Sequence, residues 1–336
     1  MINKKLIVIL GPTASGKSEL AIKLAKKFNG EIVSADSRQV YKGMDIGTGK
    51  VTPDTKNSSN FSTGQVKKKY IFIHQGIPHY CIDVASPKRR FTVVQYRNLA
   101  LKAINRILNK GKIPILCGGT GFYIQAVVDG VIIPEVPPDW KLRKKLEKKT
   151  VEELFNQLKK LDPQRAKTIE QKNKRRLIRA LEIVKKIGPV PISRKRPFSY
   201  PVLMIGIKRE KEELKKLIKR RFLKWLKQGL ITEVKNLKKS GLSWEKIEDF
   251  GIHYRIVAQY IQKKINYQEM IENSLKELQN YAKRQMTWFT RQNFAEQNLG
   301  GFKRDKRIHW IKNQKEVEKL IRSFLENKNS PSSLEI

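Results

Sequence analysis

Cysteine is all but absent from this chain of 336 residues. Only Cys81 and Cys117 occur, too few for a disulfide framework, so a reducing cytoplasm is the expected compartment. Long hydrophobic runs are missing as well. No stretch approaches the ~20 apolar residues that span a bilayer. Leu6-Ile7-Val8-Ile9-Leu10, following two lysines, is shorter than the apolar region of a signal peptide. Acidic residues are scarce beside basic ones, 31 Asp and Glu against 71 Lys and Arg, a formal net charge of +40. Such an excess costs self-repulsion and points to a polyanionic partner, nucleic acid above all. A lysine-rich composition alone would raise Glu along with Lys, and here the acids do not follow. With 39% hydrophobic and 8% aromatic residues the chain is neither disordered nor fibrous. Its length suits one large domain or two modest ones.

The run Leu6 to Leu10 ends in Gly-Pro and reads as a buried strand entering a loop. Ser18 to Phe28 has helical spacing through Leu20, Ala21, Leu24 and Phe28. Glu31 to Ala35 and Ile113 to Cys117 are further strand candidates, each after a helical stretch, which is the pattern of a doubly wound parallel sheet. Thr52 to Val66 is rich in Ser, Asn, Thr and Gly and reads as a surface loop. From Pro134 the texture becomes helical. Thr150 and Glu153 have capping-box spacing, Asp162-Pro163 opens another helix, and Asn173 can cap one that Gly188-Pro189 stops. Pro201 to Ile207 then reads as a strand returning to the sheet. The expected organisation is a P-loop-type α/β core over 1–134 and 200–336, with C-terminal helices and an all-helical insertion over 135–199.

Gly11-Pro12-Thr13-Ala14-Ser15-Gly16-Lys17-Ser18 fits G-x-x-x-x-G-K-[ST] in its strand–loop–helix setting. The glycines let successive backbone N–H groups wrap a phosphate, and the helix presents its positive end. Lys17 supplies a point charge and the Ser18 hydroxyl can hold Mg²⁺. A di- or triphosphate is therefore expected, its identity left open. Asp36 follows the second strand, where open α/β sheets bind ligands, and could cap a turn, hold metal or accept a proton. The strand that in kinases ends in a second carboxylate ends here in Cys117-Gly118-Gly119-Thr120-Gly121. That lack weakens a kinase reading and frees Asp36 to act as a base.

Wound at 100° per residue, Glu212 to Gly229 puts Leu214, Leu217, Ile218, Phe222 and Trp225 on one stripe with Arg221 in its middle. A charge there needs a partner: either a ligand phosphate or a carboxylate of the sheet. Asn173 to Ile187 carries Lys174, Arg175, Arg176 and Arg179 opposite an apolar side. In the late helix, Arg284, Trp288 and Arg291 share a face apart from the stripe of Ile271, Leu275, Leu278, Ala282 and Phe289. Cations with an aromatic on a solvent face suit phosphate contact and base stacking.

Taken together, these blocks resemble the tRNA dimethylallyltransferase (tRNA isopentenyltransferase) family. The likeness rests on the P-loop, Asp36-Ser37-Arg38-Gln39-Val40-Tyr41, Lys42-Gly43-Met44-Asp45-Ile46-Gly47-Thr48, Gly118-Gly119-Thr120-Gly121-Phe122-Tyr123, Arg176-Leu177-Ile178-Arg179-Ala180-Leu181-Glu182, and Ala282-Lys283-Arg284-Gln285-Met286-Thr287-Trp288-Phe289. It implies transfer of a dimethylallyl group from dimethylallyl diphosphate to the exocyclic amine of the adenosine 3′ of the anticodon, in tRNAs reading codons that begin with U. It implies a diphosphate on Gly11, Thr13, Ala14, Ser15, Gly16, Lys17, Ser18 and Arg221, with Mg²⁺ on Ser18. It casts Asp36 as base and sets Thr120 and Arg221 beside the reacting groups. The resemblance also places tRNA contacts on Asp36, Ser37, Arg38, Gln39 and Thr120, on Arg143, Arg175, Arg176 and Arg179 of the insertion, and on Tyr254, Arg255, Lys283, Arg284 and Gln285. The family is usually monomeric.

Gly47-Thr48-Gly49-Lys50-Val51 departs from the family's frequent Gly-Thr-Ala-Lys-Pro, and Gly251-Ile252-His253-Tyr254-Arg255 stands where many members have Gly-Tyr-Lys/Arg. Three rival readings remain: a P-loop small-molecule kinase, an adenylate isopentenyltransferase acting on free AMP or ATP, and an RNA-binding protein with a degenerate P-loop. The basic insertion and the intact Lys17, Ser18 and Asp36 favour an enzyme with a polymeric acceptor.

Overall fold

The computed structural model describes residues 4–54, 72–131, 134, 136–189, 197–290, 307–311 and 314–327. Most of the Thr52–Val66 loop, and Arg291, lie outside the described residues. The elements run β1 (Leu6–Leu10), α1 (Lys17–Lys27), β2 (Gly30–Ser34), β3 (Phe72–His74), β4 (Ile77–Tyr80), α2 (Val93–Asn109), β5 (Ile113–Gly118) and α3 (Gly121–Val128). Four helices follow: α4 (Trp140–Glu147), α5 (Val151–Leu161), α6 (Pro163–Thr168) and α7 (Lys174–Ile187). The chain returns through β6 (Val202–Ile207) to α8 (Lys211–Lys227), α9 (Leu230–Lys239), α10 (Trp244–Asp249), α11 (Ile252–Ile261) and α12 (Tyr267–Thr290), then β7 (Ile308–Ile311) and α13 (Gln314–Glu326).

The seven strands form one sheet in the order β3-β4-β2-β5-β1-β6-β7, parallel except for the β3–β4 pair. Strands buried on both faces read as continuous apolar runs, and β1 is buried throughout. Its alternation splits the core: Leu6, Val8 and Leu10 pack with α2, α3 and the α8–α12 helices, while Ile7 and Ile9 pack with α1 and α13. The register pairs Leu10 with Gly118 and Ser34 with Cys117. The loops leaving β1, β2 and β5 therefore emerge side by side at the carboxyl edge, where parallel α/β sheets hold ligands.

The α4–α7 helices pack around a core of their own that includes Leu154, Leu158, Leu177 and Leu181. Local sequence sets their starts. Thr150 and Glu153 form the reciprocal capping box, Asp162 accepts from the Arg165 amide at 2.8 Å, and Asn173 from that of Arg176 at 3.2 Å. The helix read from Glu212 to Gly229 ends sooner. Gly229, at φ +100°, precedes α9, and the left-handed conformation breaks α8 there. Not every cation faces outward. Lys5, 2% exposed, donates to the Phe324, Leu325 and Asn327 carbonyls at 2.5, 3.2 and 2.7 Å, closing the end of α13. Among the described residues no helix is long and apolar enough to cross a membrane.

Candidate active site

The P-loop leaves β1 with Gly11 at φ +148°, where a Cβ would lie 2.7 Å from the Ile207 carbonyl oxygen. Ala14 (φ +61°) and Gly16 (φ +94°) also take positive φ, which turns the backbone into a concave anion cradle. Ser15 Oγ is buried within it and makes no hydrogen bond among the described residues. Lys17 Nζ folds back onto the Pro12 carbonyl at 2.5 Å. Burial brings the Lys17 pKa down to about 8. Arg221 pushes it the same way, while Asp36 opposes the shift. Ser18 lies on the cavity wall.

Two further loops complete the carboxyl edge. Asp36 Oδ1 accepts from the amides of Arg38 at 2.8 Å and Gln39 at 3.3 Å, so the carboxylate does cap a turn. Its Oδ2 has no hydrogen-bond partner among the described residues. Thr120 Oγ1 accepts from the Ser37 amide at 3.1 Å, which sets the threonine hydroxyl beside the Asp36 loop. A Cβ on Gly118 would fall 2.1 Å from the Ala35 carbonyl oxygen. The Gly-Gly-Thr corner thus lets the β2 and β5 exits touch backbone to backbone.

These groups line one cavity of about 530 Å³, which brings together Lys17, Ser18, Asp36, Ser37, Arg38, Gln39, Thr120, Arg221, Arg284 and Gln285. Arg221 answers the question its stripe raised. It forms no salt bridge among the described residues. Its guanidinium lies over the Trp225 ring at 4.8 Å and against Gly49, which offers no side chain to exclude it. Burial lowers the Arg221 pKa and the charge of Asp36 resists that shift. A cation left so poorly compensated is a site for an anion. His253 lies tilted beside the same indole, ring centroids 5.2 Å apart and planes at 52°, and burial takes its pKa down to about 4. The wall next to Arg221 therefore gains no positive charge from His253 at neutral pH.

Several residues expected to touch tRNA sit elsewhere or have other partners. Tyr254 is fully buried, donating to Glu233 Oε1 at 2.8 Å, so it belongs to the core. Gln285 is buried too: its Nε2 donates to the Gly119 carbonyl and its Oε1 accepts from the Thr13 amide, both at 2.8 Å. It joins two site loops. Gln39 Oε1 accepts from Ser34 Oγ and its Nε2 donates to the Thr48 carbonyl. Arg143 and Arg179 both bind the buried carboxylate of Glu182, Arg176 pairs with Glu170, and Arg175 is exposed on α7. These four lie on the helical module and not on the cavity. Arg255 is near Glu277 at 3.6 Å, and Lys283 is exposed; neither lines the cavity.

One positioning residue escaped the sequence reading. Glu233 Oε2 accepts from the amides of Asp45 and Ile46, both at 2.7 Å, and Oε1 from Gly47 at 3.0 Å. It fixes the loop whose Gly49 meets Arg221. The signal was available: Glu233 falls three residues after Leu230 and four before Leu237, both buried on α9. Gln285 similarly sits three after Ala282 and four before Phe289. Helical winding exposes both as polar groups on apolar stripes, as it did for Arg221.

Comparison with known proteins agrees with this architecture. The IPP transferase family matches residues 39–292, and the isopentenyl transferase family residues 4–61. A tRNA dimethylallyltransferase of Acetivibrio thermocellus is 40% identical over 322 residues, covering 92% of this chain and 96% of that protein. The full-length tRNA isopentenylpyrophosphate transferase of Bacillus halodurans superposes with a TM-score of 0.65 at 32% identity, covering 96% of this chain and 97% of that one. A eukaryotic dimethylallyltransferase acting on tRNA reaches a TM-score of 0.66 at 25% identity, covering 92% and 74%.

Proposed function

This chain belongs to the IPP transferase family of tRNA dimethylallyltransferases, and on that premise we propose that it moves a dimethylallyl group from dimethylallyl diphosphate to the exocyclic amine of the adenosine 3′-adjacent to the anticodon, in tRNAs reading codons that begin with U, releasing diphosphate. The observation that carries the reading is Arg221, a cation without a counter-ion among the described residues, in one cavity with Lys17, Asp36 and Thr120. The P-loop amides and Lys17 hold the diphosphate, and Arg221 neutralises charge as it builds on the leaving oxygen. The adenosine is flipped out of its loop stack into the cavity. Its amine nitrogen bonds to the first allyl carbon as the carbon–oxygen bond to diphosphate breaks, the bonding pair leaving with diphosphate. Asp36 takes the nitrogen's proton. Thr120, bonded to the Ser37 amide, keeps the base's loop in register with the β5 corner.

Among the described residues no three His, Cys, Asp or Glu side chains gather into a metal cluster. The Ser18 hydroxyl, on a residue of the cavity wall, is the protein group that would hold a Mg²⁺ ion arriving with the diphosphate. Such an ion would supply charge neutralisation to the diphosphate. The proposal extends to a monomer working on tRNA in the cytoplasm.

Lys17 gives this reading a pH signature. An anion favours the charged amine, so a lysine that titrates near 8 without ligand must take up a proton when diphosphate binds at higher pH. Affinity for inorganic diphosphate should fall as pH rises above 8, by up to about tenfold per unit, in the native chain and not in Lys17→Met. Titration calorimetry at pH 7 to 9.5 checks this, and equal slopes would remove Lys17 from the binding step. The stability effect has the opposite sign. Between about 8 and the unfolded value of 10.5 the unfolded chain binds more protons, so Lys17's share of folding stability rises with pH there.

The deciding experiment supplies labelled dimethylallyl diphosphate and Mg²⁺ with either tRNA or AMP. Label is expected in tRNA, on the adenosine following the anticodon. Label in AMP alone would support the adenylate reading instead, and ATP-dependent phosphate transfer the kinase.

A further inference from the structure

The mechanism leaves one large aromatic side chain unused. Trp140, the first residue of α4, is 61% exposed, the most exposed large hydrophobic side chain among the described residues. Two guanidinium groups lie over its ring, Arg90 at 5.1 Å and Arg143 at 5.2 Å. The two arginines differ in freedom. Arg143 is tied bidentately to buried Glu182, at 2.9 and 2.7 Å, and Glu182 also accepts from the Asp139 amide at 2.6 Å. The backbone under the indole is thereby fixed. Arg90 is exposed and pairs with no carboxylate among the described residues.

Positive charge continues from Arg90 toward the cavity. Burial disfavours the charged form of Lys246 on α10; Arg90 and then Arg38 add to that, while the carboxylate of Asp249 opposes it. The Lys246 ammonium covers the Phe250 ring at 5.4 Å. Arg38 and Phe250 line the cavity. Lys88 and Arg89, next to Arg90, are exposed. Arg38, Lys246 and Arg90, with Asp249 among them, thus make a mainly basic stretch between the cavity and an exposed indole. Phosphates following cations, with a flat π-face beside them, is the arrangement that holds unpaired nucleotides.

We propose that Trp140 is a stacking platform for an unpaired base of the RNA substrate, outside the cavity, with the intervening phosphates on Arg38, Lys246 and Arg90. Arg90, lacking a carboxylate, leaves the indole face to follow a phosphate as the base takes its place. This rests on the reading that the cavity accepts an adenosine of tRNA.

The test uses the full chain, dimethylallyl diphosphate and an anticodon stem-loop RNA. Trp140→Ala should raise KM for the stem-loop about tenfold, with kcat, the KM for dimethylallyl diphosphate and the melting temperature unchanged. Trp140→Tyr should recover most of the affinity. Arg90→Ala should lower the salt dependence of RNA binding by about one counterion, whereas Trp140→Ala leaves that slope alone. Single abasic substitutions in the loop identify the stacked base, because Trp140→Ala costs nothing on the RNA that already lacks it. Equal RNA affinity in native and Trp140→Ala chains would overturn the platform. So would a loss shared equally by every abasic RNA, or a fall in kcat and melting temperature together, which marks a latch between the sheet and the helical module. A native chain that prenylates AMP and no RNA would overturn the reading of the cavity, and the platform with it.

Discussion

The substitution Asp36→Asn is expected to lower kcat at least about 100-fold while tRNA affinity stays within about twofold. The choice of asparagine follows from the two tasks that one carboxylate performs. Oδ1 accepts from the Arg38 and Gln39 amides, and an asparagine oxygen can keep that turn closed. Oδ2 has no partner among the described residues and is the oxygen left to take the amine's proton, which an amide cannot do. Alanine removes both functions, with about 1 kcal/mol of turn stability lost besides the base. Single-turnover rates with saturating tRNA, set beside filter-binding affinities, separate the two. Turnover near the native rate in the Asp36→Asn chain would show that the amine loses its proton elsewhere, to solvent or to departing diphosphate.

The second large effect is structural in origin. Glu233→Ala is expected to destabilise the chain by about 3 kcal/mol or more, because three backbone amides and the Tyr254 hydroxyl lose their acceptor in a buried setting. The denaturation midpoint should drop with little change in slope. Diphosphate affinity should fall as well, since the loop from Asp45 to Gly49 no longer holds its place under Arg221. Tyr254→Phe is the control. It removes a single donor and leaves Glu233 three amides, so about 1 kcal/mol is lost and tRNA affinity stays at the native level. A Tyr254→Phe chain that folds normally and binds tRNA poorly would return Tyr254 to the RNA surface.

That contrast marks the limit of what the residues disclosed before folding. The strands β1, β5 and β6 are legible because each is a largely apolar run buried on both faces, and β2 because Ile32 and Val33 follow a helical stretch. The β3–β4 hairpin is not: three residues of one strand and a proline and histidine in the other carry almost no periodicity. Nor is β7, four residues long with the exposed His309 interrupting its apolar run. In the site, the P-loop announces itself because phosphate binding demands consecutive residues. Arg221 does so because a charge on an apolar stripe is costly. Residue type could not tell a tyrosine on RNA from a tyrosine on Glu233, since the partner lies 21 positions away in the chain. The net charge was informative only in part. Lys110 and Lys112 hold buried Glu31 and Lys5 closes a helix end, so some cations serve the fold and not a ligand.

Gln285 has a consequence for how the two halves of the reaction are coupled. A carboxamide carries one acceptor and one donor group at a spacing set by covalent bonds. With both in use, on Thr13 and Gly119, it acts as a fixed strut between the loop that would grip the leaving group and the corner that flanks the base. The strut is mounted on α12, a helix of 24 residues that exposes Lys283 to solvent and sets Arg284 at the cavity's open edge. Any displacement of that helix would shift both loops together, and under the proposed reaction the donor and acceptor would meet at a separation that one amide group defines.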